Sequence, residues 1–396
     1  MKRTVLLLLS IVFLLALPAC GGAGEGPSVD LDRNFAQEFA FCETEDAVYF
    51  SVWMGNRVIL YADKESGIGG PLCAKPECEH KSASCNAYID RYPLFGIGNY
   101  DGKLYFVSGE YIWRADYDGT NRERVRPVDR ELGYEMNFHN VFYHRGYAYF
   151  VGVTSTIVDG APQYGCLAYG LSLTDPEAEP VIIFRDALGA DRGVYVDYDL
   201  RENELYVFMY SWGVDYENDV NIPDSKALYI ARWNIETQES EVVFDAPIEF
   251  TPFKYWALED SVLMAAGDDC VWELDMQSGS LTRRFAFDEE QQGSYFFADN
   301  KVVSLIGTNW SEKEGSFCVK DFDGNTVASG PLQIPDFGEQ EGRFLTRSFL
   351  GADGEALYVQ YDLSVSGEAS GRLTRLVQVP LDGGGQRVIA EYDYYR

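Results

Sequence analysis

Residues 101–126 read DGKLYFVSGEYIWRADYDGTNRERVR. An Asp-Gly turn opens a short run, Lys103 to Phe106, with an apolar and aromatic centre. A second run, Tyr111 to Ala115, ends at another turn, Tyr117-Asp118-Gly119, and a third run follows over Arg122–Val125. Asp-Gly before such runs is a hairpin signal, because glycine accepts the positive φ that a tight turn requires. The pattern returns at Glu45–Phe50, Arg145–Phe150, Glu202–Val207, Glu259–Met264, Asp299–Ser304 and Asp353–Tyr358. Aligned on Tyr49, Tyr105, Tyr149, Tyr206, Leu263, Val303 and Tyr358, the seven units are 40 to 57 residues apart. A strand before each Tyr-type run, such as Asn140–Tyr143 or Phe344–Phe349, brings every unit to four strands. Helical periodicity is weak after residue 30. Repeats of this length and content predict an all-β fold, a seven-bladed β-propeller of four-stranded blades. Two unrelated β-sandwiches would not require a recurring unit, whereas blades in a closed ring must cover each other's faces. The last unit is complete through Ala390, so no strand exchange between the termini is expected.

The first residues form a separate signal. Met-Lys-Arg opens the chain, Val5 to Leu17 is apolar apart from Ser10, and Leu17-Pro18-Ala19-Cys20 follows. An apolar stretch this short is a signal-peptide core rather than a membrane span. Leucine three before and alanine one before a cysteine matches a lipobox, which implies that Cys20 is lipidated, carries palmitate-type acyl chains and becomes the new N-terminus. The alternative is an ordinary secretory signal cut near Ala19. The expected organisation is a signal peptide at 1–19, the lipidated cysteine and a flexible tether at 20–34, and the propeller at 35–396. The Gly/Ser/Pro-rich residues 21–28 cannot bury a core. The membrane, reached through the Cys20 anchor on its outer, extracytoplasmic side, is therefore an expected partner.

The formal charge is −31, with 63 acidic against 32 basic residues. Such a field repels nucleic acid and anionic headgroups. Three histidines leave little room for His-based catalysis. Gly-x-Ser-x-Gly, P-loop, His-Glu-x-x-His and dinucleotide glycine motifs are absent. No catalytic residues are assigned.

The 101–126 stretch resembles a blade of the low-density-lipoprotein-receptor YWTD-type propeller, through its Leu-Tyr pair, its Ile-x-Arg-Ala strand and its Asp-Gly-Thr-Asn turn. Tyr-Trp-Thr-Asp itself does not occur. The whole chain resembles the β-propeller lipoproteins of gut Firmicutes, which carry a cysteine-rich insert like PLCAKPECEHKSASCNA at 71–87. The resemblance implies a fold and a location, not an activity.

That insert, centred on 73–87, holds Cys73, Cys78, His80 and Cys85, three thiolates and an imidazole that can complete a tetrahedral zinc shell. Pro76 would help bend the chain around an ion. Disulfides, favoured outside the cell and drawing in Cys42 or another thiol, are the rival. In either form the site is structural, since four protein ligands leave no open position. The loop Tyr210–Lys226 places Asp215, Glu217, Asp219 and Asn221 in alternation, but Val220 and Lys226 break a calcium-loop pattern, so a solvated acidic loop is expected. Trp212 and Tyr216 there, and Trp310 in the sixth unit, are candidate ligand-binding aromatics. The Asp-x-Asp-Gly turns at 116–119 and 321–324 read as hairpins rather than metal loops. The long insertions 152–165, 209–226, 307–315, 362–372 and 74–95 are expected on one face, opposite the tight turns, with the last linking units one and two. Two functions fit: a membrane-anchored binding module for a glycan, peptide or partner protein, or a glycan hydrolase or lyase with paired carboxylates near the propeller axis.

Overall fold

The computed structural model describes residues 41–393 apart from 52–56, 74, 76, 83, 90–93, 130–131, 133–135, 159–160, 189–190, 217, 219, 289–292, 308–314, 339–342 and 366–371. Cys20 with the expected signal peptide and tether, Pro76, Glu217, Asp219 and Trp310 lie outside the described residues.

Seven antiparallel sheets follow one another along the chain, each built on a path of four strands in sequence order, with one further two-residue strand in each of two sheets. Blade one is built from Phe41–Glu43, Ala47–Ser51, Arg57–Asp63 and Gly69–Pro71, and blade two from Leu94–Tyr100, Lys103–Ser108, Tyr111–Ala115 and Glu123–Pro127. Blade three runs from Met136 to Ala187, blade four from Arg192 to Pro247, blade five from Pro252 to Ala286, and blade six from Ser294 to Pro331. Among the described residues, blade seven draws its four strands from Arg343–Ala352, Ala356–Val365, Arg372–Pro380 and Arg387–Asp393. The chain is thus a seven-bladed propeller of four-stranded blades, as the repeat predicts.

The seven aligned residues explain why the register is the same in each blade. Tyr49, Tyr105, Tyr149, Tyr206, Leu263, Val303 and Tyr358 are each the third residue of a second strand, and none is more than 4% exposed. A period-two strand places such a residue on a fixed face, and burial holds it there. Asp101 and Gly102 both have positive φ, 49° and 68°, so the quoted Asp-Gly is a primed two-residue turn.

The apolar clusters lie between blades rather than within them. Separate clusters join blades two and three, three and four, four and five, five and six, and six and seven. A further cluster joins blade seven to blade one and on to Leu104 and Phe106 of blade two. Ring closure therefore buries the faces that a lone blade would leave wet.

The segment expected as a loop at 152–165 is instead a hairpin, because Tyr147–Val158 pairs with Ala161–Ser172 to its tip. The 209–226 insertion is also largely sheet. Glu204–Asp215 extends beyond its partner Ala227–Asn234, and Val220–Asn221 folds back onto Val214–Asp215.

Candidate metal centre and rim pocket

The outermost position of blade one is filled by two separate pieces. Gly69–Pro71 pairs with residues 60–62 and Tyr88–Ile89 pairs with residues 57–58, both antiparallel to the same strand. Two backbone bonds close the neck: Leu72 N–H donates to the Ile59 carbonyl, and Ile59 N–H to the Ala87 carbonyl, each at 2.9 Å. Leu72, Cys85 and Ala87 are buried there. Residues 73–86 thus leave and re-enter one strand. The insert is an excursion from the rim of blade one, which corrects the expectation of a long link between blades on the insertion face.

The excursion brings Cys73, Cys78, His80 and Cys85 together. Their donor atoms all lie within 4.8 Å of one another, and His80 Nδ1 is 3.2 Å from Cys85 Sγ. Ligands on one tetrahedral zinc ion are roughly 3.5–4 Å apart, so the four groups are gathered to near one coordination shell and can hold a metal ion. Glu77 and His80 take positive φ, 58° and 53°, which winds the short loop tightly around the cluster. Burial pushes the Cys85 thiol up to about 12. Burial also opposes ionisation of Cys73, but the backbone amides of Lys75 and Asn86 outweigh it and hold that thiol below its ordinary value. All three thiols are unpaired. Cys42 sits on the innermost strand of blade one, three strand spacings of about 4.8 Å inward, beyond the reach of a disulfide to the insert.

The insert leans on blade two. Arg122 Nη1 donates to the Tyr88 carbonyl at 2.6 Å and the Asn86 carbonyl at 3.4 Å. Gly119, at φ +78°, approaches so closely that a Cβ there would lie 2.5 Å from the Leu72 carbonyl oxygen. Between the two elements is a pocket of about 470 Å³. Its walls include Lys75 and Tyr88 from the insert side and Tyr111, Trp113, Arg122 and Arg124 from blade two. The Arg122 guanidinium lies 4.7 Å from the Trp113 ring centroid; Arg124 lies 5.1 Å from the same ring and 4.4 Å from Tyr111. A bulge between Ile112 and Trp113 shifts the register of the outer strand. Arg126 consequently faces the other way, where it is buried and donates to the Ser172 and Ala178 carbonyls of blade three. Sequence reading passed over this pocket, although an aromatic pair at 111 and 113 opposite Arg122 and Arg124 in so acidic a chain is a legible signal.

Trp212 and Tyr216 share the projecting hairpin of blade four. Trp212 is half-buried, stacked on Tyr210 with centroids 5.2 Å apart and so close over Gly193 that a Cβ there would lie 2.3 Å from its ring. Tyr216 is 44% exposed, and its hydroxyl donates to the Arg192 carbonyl at 3.5 Å. The Asp-x-Asp-Gly turns use their carboxylates internally: Asp116 Oδ2 accepts from Asn121 at 2.6 Å and Asp321 Oδ1 from the Asn325 amide at 2.8 Å.

One buried carboxylate pair bears on the enzyme alternative. Lys64 Nζ lies 2.9 Å from Glu43 and 3.0 Å from Asp353, where blade seven closes on blade one. The Tyr358 hydroxyl donates to Asp353 at 2.6 Å. Both carboxylates are buried and share one ammonium, leaving no gap for a sugar and an attacking water.

No protein-family model matches the chain, and no curated protein matches its sequence. Solved structures match in fold. Prolyl endopeptidases superpose with a TM-score of 0.53 at 10% identity over 91% of this chain and 50% of theirs. An acylaminoacyl peptidase bound to a chloromethyl ketone gives 0.51 at 12% identity, over 90% and 53%. An oligogalacturonate lyase in complex with manganese gives 0.45 at 11% identity, over 88% and 85%. The chain spans about half the length of the two peptidases, and the likeness is one of propeller fold alone.

Proposed function

We propose that this chain is a lipid-anchored, extracytoplasmic binding module of the β-propeller lipoprotein kind, whose ligand site is the rim pocket between the cysteine insert and blade two. The observation that carries the reading is the neck of the insert: one interrupted strand places Lys75, Asn86 and Tyr88 against an aromatic and cationic wall on the next blade. Pockets of a few hundred Å³ with mixed ring surfaces and a few polar groups are the usual form of a ligand site. A structural zinc ion held by Cys73, Cys78, His80 and Cys85 fits the donor set and would fix the insert-side wall of the pocket. With four protein ligands it supplies shape rather than chemistry. Trp212, Tyr216 and Trp310 remain candidates for a second contact surface.

A glycan hydrolase would need two accessible carboxylates about 5–10 Å apart, and the Glu43–Asp353 pair does not supply them. The test is metal analysis of the purified chain together with a glycan and peptide array. One zinc per chain and array binding that Trp113→Ala abolishes are expected. Array binding unchanged by Trp113→Ala would move the ligand site elsewhere.

A further inference from the structure

The rim pocket has a charge opposite to that of the molecule. The chain carries −31 overall, yet among the described residues this pocket gathers Lys75, Arg122 and Arg124 against one acid, Glu110. The three cations are not equivalent. Arg122 is committed to the Asn86 and Tyr88 carbonyls and joins the two walls. Lys75 spends one of its three N–H groups on the Ser84 carbonyl. Arg124 is exposed and lies on Tyr111 and Trp113, and among the described residues it has no carboxylate partner. Stacking holds the guanidinium plane while leaving its N–H donors unspent, which prepares it for a planar anion.

Resting on the reading of this pocket as the ligand site, we infer that it takes a carboxylate-bearing saccharide unit, with Arg124 and Lys75 meeting the carboxylate. The guanidinium fork matches a carboxylate in two-point geometry. At about 470 Å³ the space is far larger than a bare anion requires. Its lining combines the polar residues Ser84 and Asn86 with the aromatic residues Tyr88 and Tyr111, a mixture that suits a hydroxyl-bearing ring. The molecular charge sets the length of the ligand. A long polyanion is repelled by the surrounding surface, whereas a unit with one or two carboxylates feels chiefly the nearby cations, since charges beyond about 10 Å are screened.

The experiment titrates the full chain in detergent with a uronic-acid disaccharide by calorimetry. The arms are the methyl-esterified disaccharide, inorganic phosphate, and a glutamate-rich peptide. The uronate is expected to bind, and the ester and Arg124→Gln each to weaken binding by about tenfold or more, the worth of a charge-assisted hydrogen bond. Arg124 is exposed, so the variant should keep its metal content and melting temperature, which are measured alongside. Chelation of the metal should also abolish uronate binding. Equal binding of ester and acid, lost in Trp113→Ala, would keep the pocket as the ligand site and overturn its anionic specificity. Phosphate or the peptide binding as tightly as the uronate would overturn the saccharide. Uronate binding insensitive to both Arg124→Gln and Trp113→Ala would overturn the inference and the site together.

Discussion

Lys64 sits between two buried carboxylates, and the two respond to it in opposite directions. Burial, reinforced by Asp353, pushes the Glu43 carboxyl from 4.5 up to about 8. Burial opposes ionisation of Asp353 too, but hydrogen bonds from Glu43 and Tyr358 and the Lys64 charge outweigh it and hold that carboxyl below its ordinary 3.8. At neutral pH Glu43 is therefore the proton donor and Asp353 the anion. The signs follow from linkage. Glu43 stabilises the fold fully below pH 4.5, and that contribution is lost as pH rises toward 8. Asp353 stabilises it above pH 3.8 and loses this on further acidification. Glu43→Gln keeps a hydrogen-bond donor and removes the titration. Denaturant midpoints measured from pH 4 to 9 should show wild type declining against the variant between about 4.5 and 8. A difference that does not change with pH would refute this assignment. Lys64→Met leaves Asp353 buried without its cation and should cost about 3–5 kcal/mol in the same assay.

At the scale of the element, the zinc ion proposed for Cys73, Cys78, His80 and Cys85 is expected to hold the insert and not the blade that carries it. Two short pieces, Gly69–Pro71 and Tyr88–Ile89, pair it with the sheet, and of the described residues between them only Leu72, Cys85 and Ala87 are buried. Removing the metal, by chelation or by Cys78→Ser, should leave the far-ultraviolet circular dichroism of the sheets intact while exposing residues 75–84 to protease. Loss of the sheet signal on chelation would show instead that the metal supports the ring. The blade repeat was legible because turn chemistry and core burial recur at the same position seven times, from Tyr49 to Tyr358. The convergence of Cys73, Cys78, His80 and Cys85 was legible from close spacing. The place of the insert was not, because a two-residue strand such as Tyr88–Ile89 carries no period of its own and its partner lies 31 residues earlier, at Arg57–Val58. The pocket was legible only in part: the aromatic pair Tyr111 and Trp113 beside Arg122 and Arg124 is a signal, but it also satisfies the blade pattern, and the bulge that separates Arg124 from Arg126 leaves no mark in sequence. Trp212 was assigned to a loop because nothing local says how far a hairpin runs beyond its blade.

For the whole molecule, the lipobox reading makes a test independent of the fold. Cys20→Ala should release the chain from the membrane fraction into the medium or leave it unprocessed, and a variant that stays processed and membrane-bound would exclude lipid anchoring. The ring makes a second prediction. Six of the seven blade junctions are spanned by the chain, so a junction that separates there is held at high effective concentration by its link. Among the described residues the junction of blade seven with blade one has no such link, because blade seven draws its four strands from residues 343–393. It is held by Phe41 against Tyr358, with ring centroids 5.3 Å apart, by the Glu43–Lys64–Asp353 cluster, and by Arg387, which donates to the Lys64 and Glu65 carbonyls. Two of the strands on the blade-one side, Phe41–Glu43 and Gly69–Pro71, have only three residues each. Opening should therefore begin at this seam. Hydrogen exchange in mild denaturant should proceed first in blades one and seven, with blade four, on the far side of the ring, protected longest. Lys64→Met should accelerate exchange at the seam and leave blade four unchanged. Uniform exchange around the ring, or acceleration of blade four by Lys64→Met, would mean that the ring opens as a unit and that the seam has no separate stability.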